Sequence, residues 1–363
     1  MNKNDIWMKY EKNKVIKSNF YLRIYDSINK SNGKPVIIKE YNKRYIDKKM
    51  FESIEKFYKL INSITILEIK VEKDYNYIVL EKGVFDLENY LTQRNQGLSP
   101  YNIKKILIQL NNYFKIMQKE KVIYMHLEPS DIIIFINDVD LTFKLSINNL
   151  NLYNKVGQYD RSYPLYNIRV LSPECLKGEA LTNKTDIWSL GIIIYYMAFK
   201  EYPYNGGSEY IIYSMIESNS ILKKTNDDDL NDLISKMLKK DLAERISWDD
   251  YFNHSFFKKQ FPEEIKNQGN DILLTIKEQV NDIHKNNIDI NILKLGYETK
   301  IEKLNTEIIK LKENNNQLKE KDEIIKKMKK DLDDKIKENN NINRQLINVT
   351  ESYQQLKRKY EKK

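Results

Sequence analysis

Cysteine is nearly absent. Cys175 is the single one in 363 residues, which excludes an internal disulfide framework and fits a reducing compartment. A run of about 18 apolar residues, the length of a membrane-spanning helix, does not occur. The opening stretch MNKNDIWMKYEKNK lacks the apolar core that a secretory signal requires. These absences predict a soluble, cytoplasmic protein. Negative charge is outnumbered, with 61 Lys and Arg against 52 Asp and Glu and a formal net charge of +9. The lysines are nevertheless dispersed among the acids, as in a solvated surface, so neither nucleic acid nor membrane is expected as a partner.

What is present falls into two regimes. Up to about Phe257 the apolar residues follow mixed periods with turn signals between them; beyond it Pro and Gly nearly vanish and Lys, Glu, Asn, Leu and Ile dominate. The opening 80 or so residues read mostly as strands, over Phe20 to Ser27, Pro35 to Tyr41, Leu67 to Val71 and Asn76 to Glu81, with a helix at about Lys48 to Asn62. A helical portion follows. Ser99 and Pro100 form an N-cap and first-turn signal ahead of Ile103, Ile106, Leu107, Leu110, Phe114 and Met117 at helical spacing. Another helix is expected to start at Thr225 or Asn226, with Asp227, Asp228 and Asp229 placed where the helix dipole favours acids.

The second regime reads as coiled coil. Ile301, Leu304, Ile308, Leu311, Asn315 and Leu318 alternate spacings of three and four, the signature of a and d positions. Ile342, Leu346, Val349, Tyr353, Leu356 and Tyr360 resume the pattern in a shifted phase. Asn315 at an a position would fix register. The predicted interface therefore comprises Ile301, Leu304, Ile308, Leu311, Asn315, Leu318, Leu346, Val349, Tyr353 and Leu356, and it predicts a homo-oligomer.

Three strings in order carry a family resemblance: "SPE" (Ser172 to Glu174), "DIWSLGIIIYYM" (Asp186 to Met197) and "ERISWDDYFNHSFF". Together with "VIIK" (Val36 to Lys39) they make residues 10 to 258 resemble a eukaryotic protein kinase domain. The resemblance implies an α+β bilobal fold with a small β-rich lobe (about 10 to 82) and a larger helical lobe (about 84 to 258). A helical linker (259 to 296) and a long C-terminal α-helical coiled coil (297 to 363) would follow. It further implies that Asp186 holds the catalytic-loop backbone, that Glu174 pairs with Arg245, and that Lys39 stands where the family's lysine holds the α and β phosphates.

The chemistry implied by the family is largely missing. The glycine-rich loop GxGxxGxV aligns with "KSNFYLRI", so Lys17, Asn19 and Leu22 replace its glycines. Side chains there obstruct the close approach of backbone N–H groups to phosphate. Ile37 replaces the small residue that roofs the adenine. HRDLKPxN becomes Tyr124 to Asp131: His126 stands at the catalytic aspartate, Glu128 at the lysine that neutralises the γ-phosphate, and Asp131 at the magnesium-binding asparagine. The DFG motif aligns with Ile147, Asn148 and Asn149, and an isoleucine cannot ligate a hard cation. Asp131 is the residual metal candidate. The helix glutamate that pairs with the lysine falls on Ile54, or on Glu55 after a one-residue shift. Lys39 then reads either as a weak nucleotide contact or as a surface or inter-lobe ion pair without ligand. Met125 replaces the arginine that would receive an activation-segment phosphate.

Two functions remain open. One is a pseudokinase with no expected cofactor, acting on a client kinase or signalling protein and dimerising through its coiled coil. The alternative is a divergent Ser/Thr kinase that uses ATP and Mg2+ through Lys39, Asp131 and Glu55.

Overall fold

The computed structural model describes residues 5–136, 141–146, 167–218, 221–262, 323 and 325–338. The chain divides into two compact units, Met1–Leu273 and Leu274–Lys363. Of the second unit, residues 323 and 325–338 are described and helical. The predicted coiled-coil positions Ile301, Leu304, Ile308, Leu311, Asn315, Leu318, Leu346, Val349, Tyr353 and Leu356 lie outside the described residues, as do Ile147, Asn148 and Asn149.

The first unit opens with a short helix α1 (Ile6–Lys9), then β1 (Tyr10–Ser18), β2 (Leu22–Asn29), β3 (Pro35–Asn42), α2 (Lys48–Ile61), β4 (Ile66–Val71) and β5 (Tyr75–Glu81). The five strands form one antiparallel sheet in the order β1-β2-β3-β5-β4. Successive side chains of a strand point to opposite faces, and β3 uses both. Val36 and Ile38 join Ile6, Tyr10, Tyr25, Tyr77 and Val79 in a core on one face. On the other, Tyr41 packs edge-on against Phe51 of α2, with ring centroids 5.5 Å apart. The start of α2 is capped by Asp47, whose carboxylate accepts the Met50 N–H at 2.8 Å. Its end is Asn62 in the left-handed conformation (φ 41°).

Strand β1 is an element that sequence periodicity does not predict. It is an edge strand with most of its side chains in solvent, so its lysine-rich run carries no alternation. The strand expected from Phe20 begins instead at Leu22, because Phe20 and Tyr21 belong to a tight turn.

The larger lobe continues through β6 (Phe85–Asp86), α3 (Leu87–Thr92), α4 (Pro100–Lys119), a 3-10 turn (Pro129–Asp131), β7 (Ile132–Ile136) and β8 (Leu141–Leu145). After a further 3-10 turn (Ile168–Val170) come α5 (Pro173–Lys177), α6 (Lys184–Phe199), α7 (Glu209–Glu217), α8 (Asp228–Met237), α9 (Trp248–Phe252) and α10 (Ser255–Lys258). Ser99 caps α4 as expected, and the six periodic apolar residues of that helix are all buried. Helix α8 starts later than Thr225 or Asn226: Asp227 is the cap, accepting the Leu230 N–H at 2.9 Å, and Asp228 and Asp229 occupy the first turn. Helix α6 is apolar on nearly every side and runs through the core. Among the described residues no helix is long and apolar enough to cross a membrane.

Candidate functional site in the interlobe cleft

Between the sheet and the helical lobe lies a cavity of ≈ 920 Å³, lined among others by Ile16, Lys17, Ile37, Lys39, Leu80 and Glu128. Ile37 is half-buried and faces this space, so its extra methylenes reduce the room over the base position. The connection between the lobes presses on β7 at Gly83. A Cβ there would lie 2.3 Å from Ile133 Cγ2 and 2.7 Å from the Ile134 carbonyl oxygen, so only glycine fits this close approach.

The β1–β2 turn closes on itself. Asn19 Oδ1 accepts the N–H groups of Tyr21 and Leu22 at 3.0 and 2.7 Å, and the Asn19 N–H donates to the Leu22 carbonyl at 2.9 Å. This is an Asx-type turn, in which a side-chain oxygen satisfies the donors of its own backbone. The amides that a glycine-rich loop would turn toward phosphate are therefore already bonded. Sequence reasoning registered Asn19 only as a lost glycine; its turn-forming chemistry was the signal that could have been read. Lys17 Nζ lies 2.9 Å from Glu128 Oε1 across the cleft, which joins two positions the alignment had treated separately as losses.

The segment from Tyr124 to Asp131 keeps the frame expected of it. Asp186, at the start of α6 and fully buried, accepts the N–H groups of Tyr124 and Met125 at 2.7 and 2.8 Å. These bonds hold a sharp bend in which Met125 and His126 both have positive φ, 51° and 68°. A non-glycine residue in that region costs roughly 1–2 kcal/mol. The bend places His126 inside the protein, 2% exposed. Burial lowers its pKa to about 3, so the imidazole stays neutral across the ordinary pH range. Asp131 is also buried, and its Oδ2 accepts the Glu128 N–H at 3.1 Å.

Lys39 is 1% exposed, which removes the surface alternative from the expected surface or inter-lobe ion pair. Its Nζ donates to Tyr58 Oη at 2.7 Å and to Ser146 Oγ at 3.2 Å, beyond the end of β8. Burial lowers its pKa to about 7, opposed by the Asp131 carboxylate and assisted by Lys17. Glu55 is not its partner; it pairs with Lys59 one turn along the same helix. Ile54 faces the core, and Tyr58 one turn further on supplies the polar contact to Lys39. Helical phase decides this, since Glu55 lies on the half-exposed side of α2.

Remote from the cleft, Glu174 of α5 and Arg245 form the expected pair. It is bidentate, at 2.7 and 2.9 Å, and both side chains are buried.

The pKa of His126 carries a pH prediction. Its folded value lies below the ordinary 6.5, so the unfolded chain binds the extra proton between those limits; stability is complete above about 6.5 and is lost as pH falls toward about 3. Melting temperatures of wild type and His126→Leu, measured from about pH 7 down to about pH 4, should show a shallower decline in the variant. Parallel curves would mean that His126 takes up no proton on unfolding.

The protein kinase domain family matches residues 10–257. Serine/threonine-protein kinase atg1 of Dictyostelium discoideum is 26% identical over 205 residues, covering 54% of this chain and 30% of that protein. Calcium-dependent protein kinase 5 of Plasmodium berghei (strain Anka) is 27% identical over 286 residues, covering 71% and 48%. A probable inactive serine/threonine-protein kinase of Dictyostelium discoideum is 37% identical over 109 residues, covering 27% and 13%. The chain thus spans less than half the length of each of these relatives. The family match runs from the first strand of the small sheet to the last helix of the large lobe, and the chain belongs to the protein kinase domain family.

Proposed function

We propose that this chain is a pseudokinase, a kinase fold that no longer transfers phosphate and acts by binding a client kinase or another signalling protein. The observation that carries this reading is the burial of His126, 2% exposed, at the place of the family's catalytic aspartate. A proton acceptor must come within hydrogen-bond reach of the substrate hydroxyl. An imidazole closed off from solvent does not.

Further support comes from the cleft. The residues there do not fit ATP with Mg2+: the turn amides are bonded to Asn19, and Lys17 and Glu128, at the places of a loop glycine and of the lysine that neutralises the γ-phosphate, are bonded to each other. Phosphoryl transfer depends on positioning and electrostatic stabilisation, and loss of one such group commonly costs ~10²- to 10³-fold in rate. The similarity of one segment to a relative named as probably inactive agrees with this. The heptad pattern from Ile301 to Leu356 would dimerise the chain and raise the effective concentration of whatever the two domains bind.

A phosphotransfer assay tests the proposal, using full-length protein, radiolabelled ATP, Mg2+ and a generic protein substrate. Incorporation is expected to be no greater than in Lys39→Ala and Asp131→Ala. Mg2+-dependent incorporation lost in both variants would establish the divergent active kinase instead.

A further inference from the structure

Among the described residues several bonds join the two lobes, Leu145 to Ser63 and Lys144 to Glu81 among them, and two others start from positions aligned with the family's phosphate contacts. The deeper one is the bond from Lys39 of β3 to Ser146 beyond β8. The other, nearer solvent, joins Lys17 to Glu128, with side chains 30% and 14% exposed. Local structure prepares both ends of the second tie. On the small-lobe side the β1–β2 ladder shifts register between Val15 and Lys17, and such a bulge re-aims the side chain beside it. On the large-lobe side Glu128 is held by bonds other than that to lysine. Its Oε1 accepts Ser130 Oγ–H at 2.8 Å, and its N–H is bonded to Asp131 in the capping box of the 3-10 turn.

The charges reinforce this arrangement. Burial works against the Lys17 ammonium, but Glu128 and Asp131 outweigh it and its pKa stands above the usual lysine value. A partly enclosed pair is screened less by salt than one on the open surface.

We infer that the Lys17–Glu128 bond is a latch that holds the β1–β2 hairpin on the large lobe in place of a bound nucleotide. The inference deepens the proposed function and rests on it, since it makes the closed cleft a built-in state. The two replacements that remove phosphate chemistry are, on this account, one coupled change. A lysine at the glycine position supplies the cation, and a glutamate at the lysine position supplies the anion. The surface that a protein partner meets is then the closed form, with no requirement for ATP.

Hydrogen exchange of the full-length chain, followed in peptides covering β1 and β2, tests the latch. Lys17→Glu and Glu128→Lys each set like charges face to face and should speed exchange there about fivefold, the scale of one moderately strong ion pair. The double variant Lys17→Glu/Glu128→Lys restores opposite charges and should return exchange to within about twofold of wild type. Lys17→Met, a milder change, should lie between, and it keeps the test open if a reversal unfolds the domain. Raising salt should loosen wild type and leave Lys17→Met unaffected. Single reversals that exchange like wild type, or a double variant as loose as either single, would overturn the latch. The same proteins in the phosphotransfer assay separate the two ideas: transfer by wild type would remove the pseudokinase reading, whereas the latch is decided by the charge swap.

Discussion

Arg245→Ala is expected to destabilise the kinase-like domain by about 3–5 kcal/mol, the scale measured when one partner of a buried ion pair is removed. Four of the five guanidinium N–H donors are used. Nη1 and Nη2 donate to the two Glu174 oxygens, Nη1 also to the Lys184 carbonyl at 3.0 Å, and Nε to the Lys239 carbonyl at 2.9 Å. Its plane lies over Trp188, 5.1 Å from the ring centroid. Truncation would strand the buried Glu174 carboxylate and open two backbone carbonyls at once. The paired change Glu174→Leu/Arg245→Leu should cost less than the single truncation, because a buried charge without a partner is worse than no charge. Thermal and urea unfolding of the three proteins would decide it. A loss under about 1 kcal/mol for Arg245→Ala would mean that water reaches Glu174 once the arginine is gone.

Asp186→Ala should have the second-largest effect, about 2–5 kcal/mol, since it leaves the buried N–H groups of Tyr124 and Met125 without their carboxylate. It should also act at a distance. With the clamp removed, the left-handed conformations of Met125 and His126 lose their support, and the loop is expected to relax toward ordinary backbone angles. His126 would then meet water and its pKa would rise from about 3 toward the ordinary value of 6.5. With three histidines in the chain, NMR titration of imidazole protons can follow this directly. An unchanged His126 titration in a folded variant would show that side-chain packing of Tyr124 and Met125, and not Asp186, sets the bend.

Much of the frame was legible because it depends on local chemistry. The cap at Ser99, the start of α2 and the apolar face of α4 follow from residue type and spacing within a few turns. Strand β1 was not legible, because an edge strand facing water on most positions leaves no alternating pattern. The partner of Lys39 stayed open in the sequence for a related reason. A one-residue shift along α2 turns Glu55 toward the lysine on paper, yet packing fixes the helix with Ile54 and Tyr58 inward and leaves Glu55 to Lys59. His126 could be seen as a replacement but not as a buried one, since its burial follows from a bend held by Asp186, 60 residues further along the chain.

By itself the sequence determined the family, the order of elements and the identity of the replaced catalytic positions, all of which reside in short strings and in periodicity. The tertiary structure decided what those replacements do. Lys17 and Glu128 stand 111 residues apart, and each reads alone as a loss; only the closing of the small lobe over the large one brings them to 2.9 Å and makes them a bond. Charge interactions fall off with distance in space and carry no mark along the chain, so the ion pair exists only once the fold has set the distance.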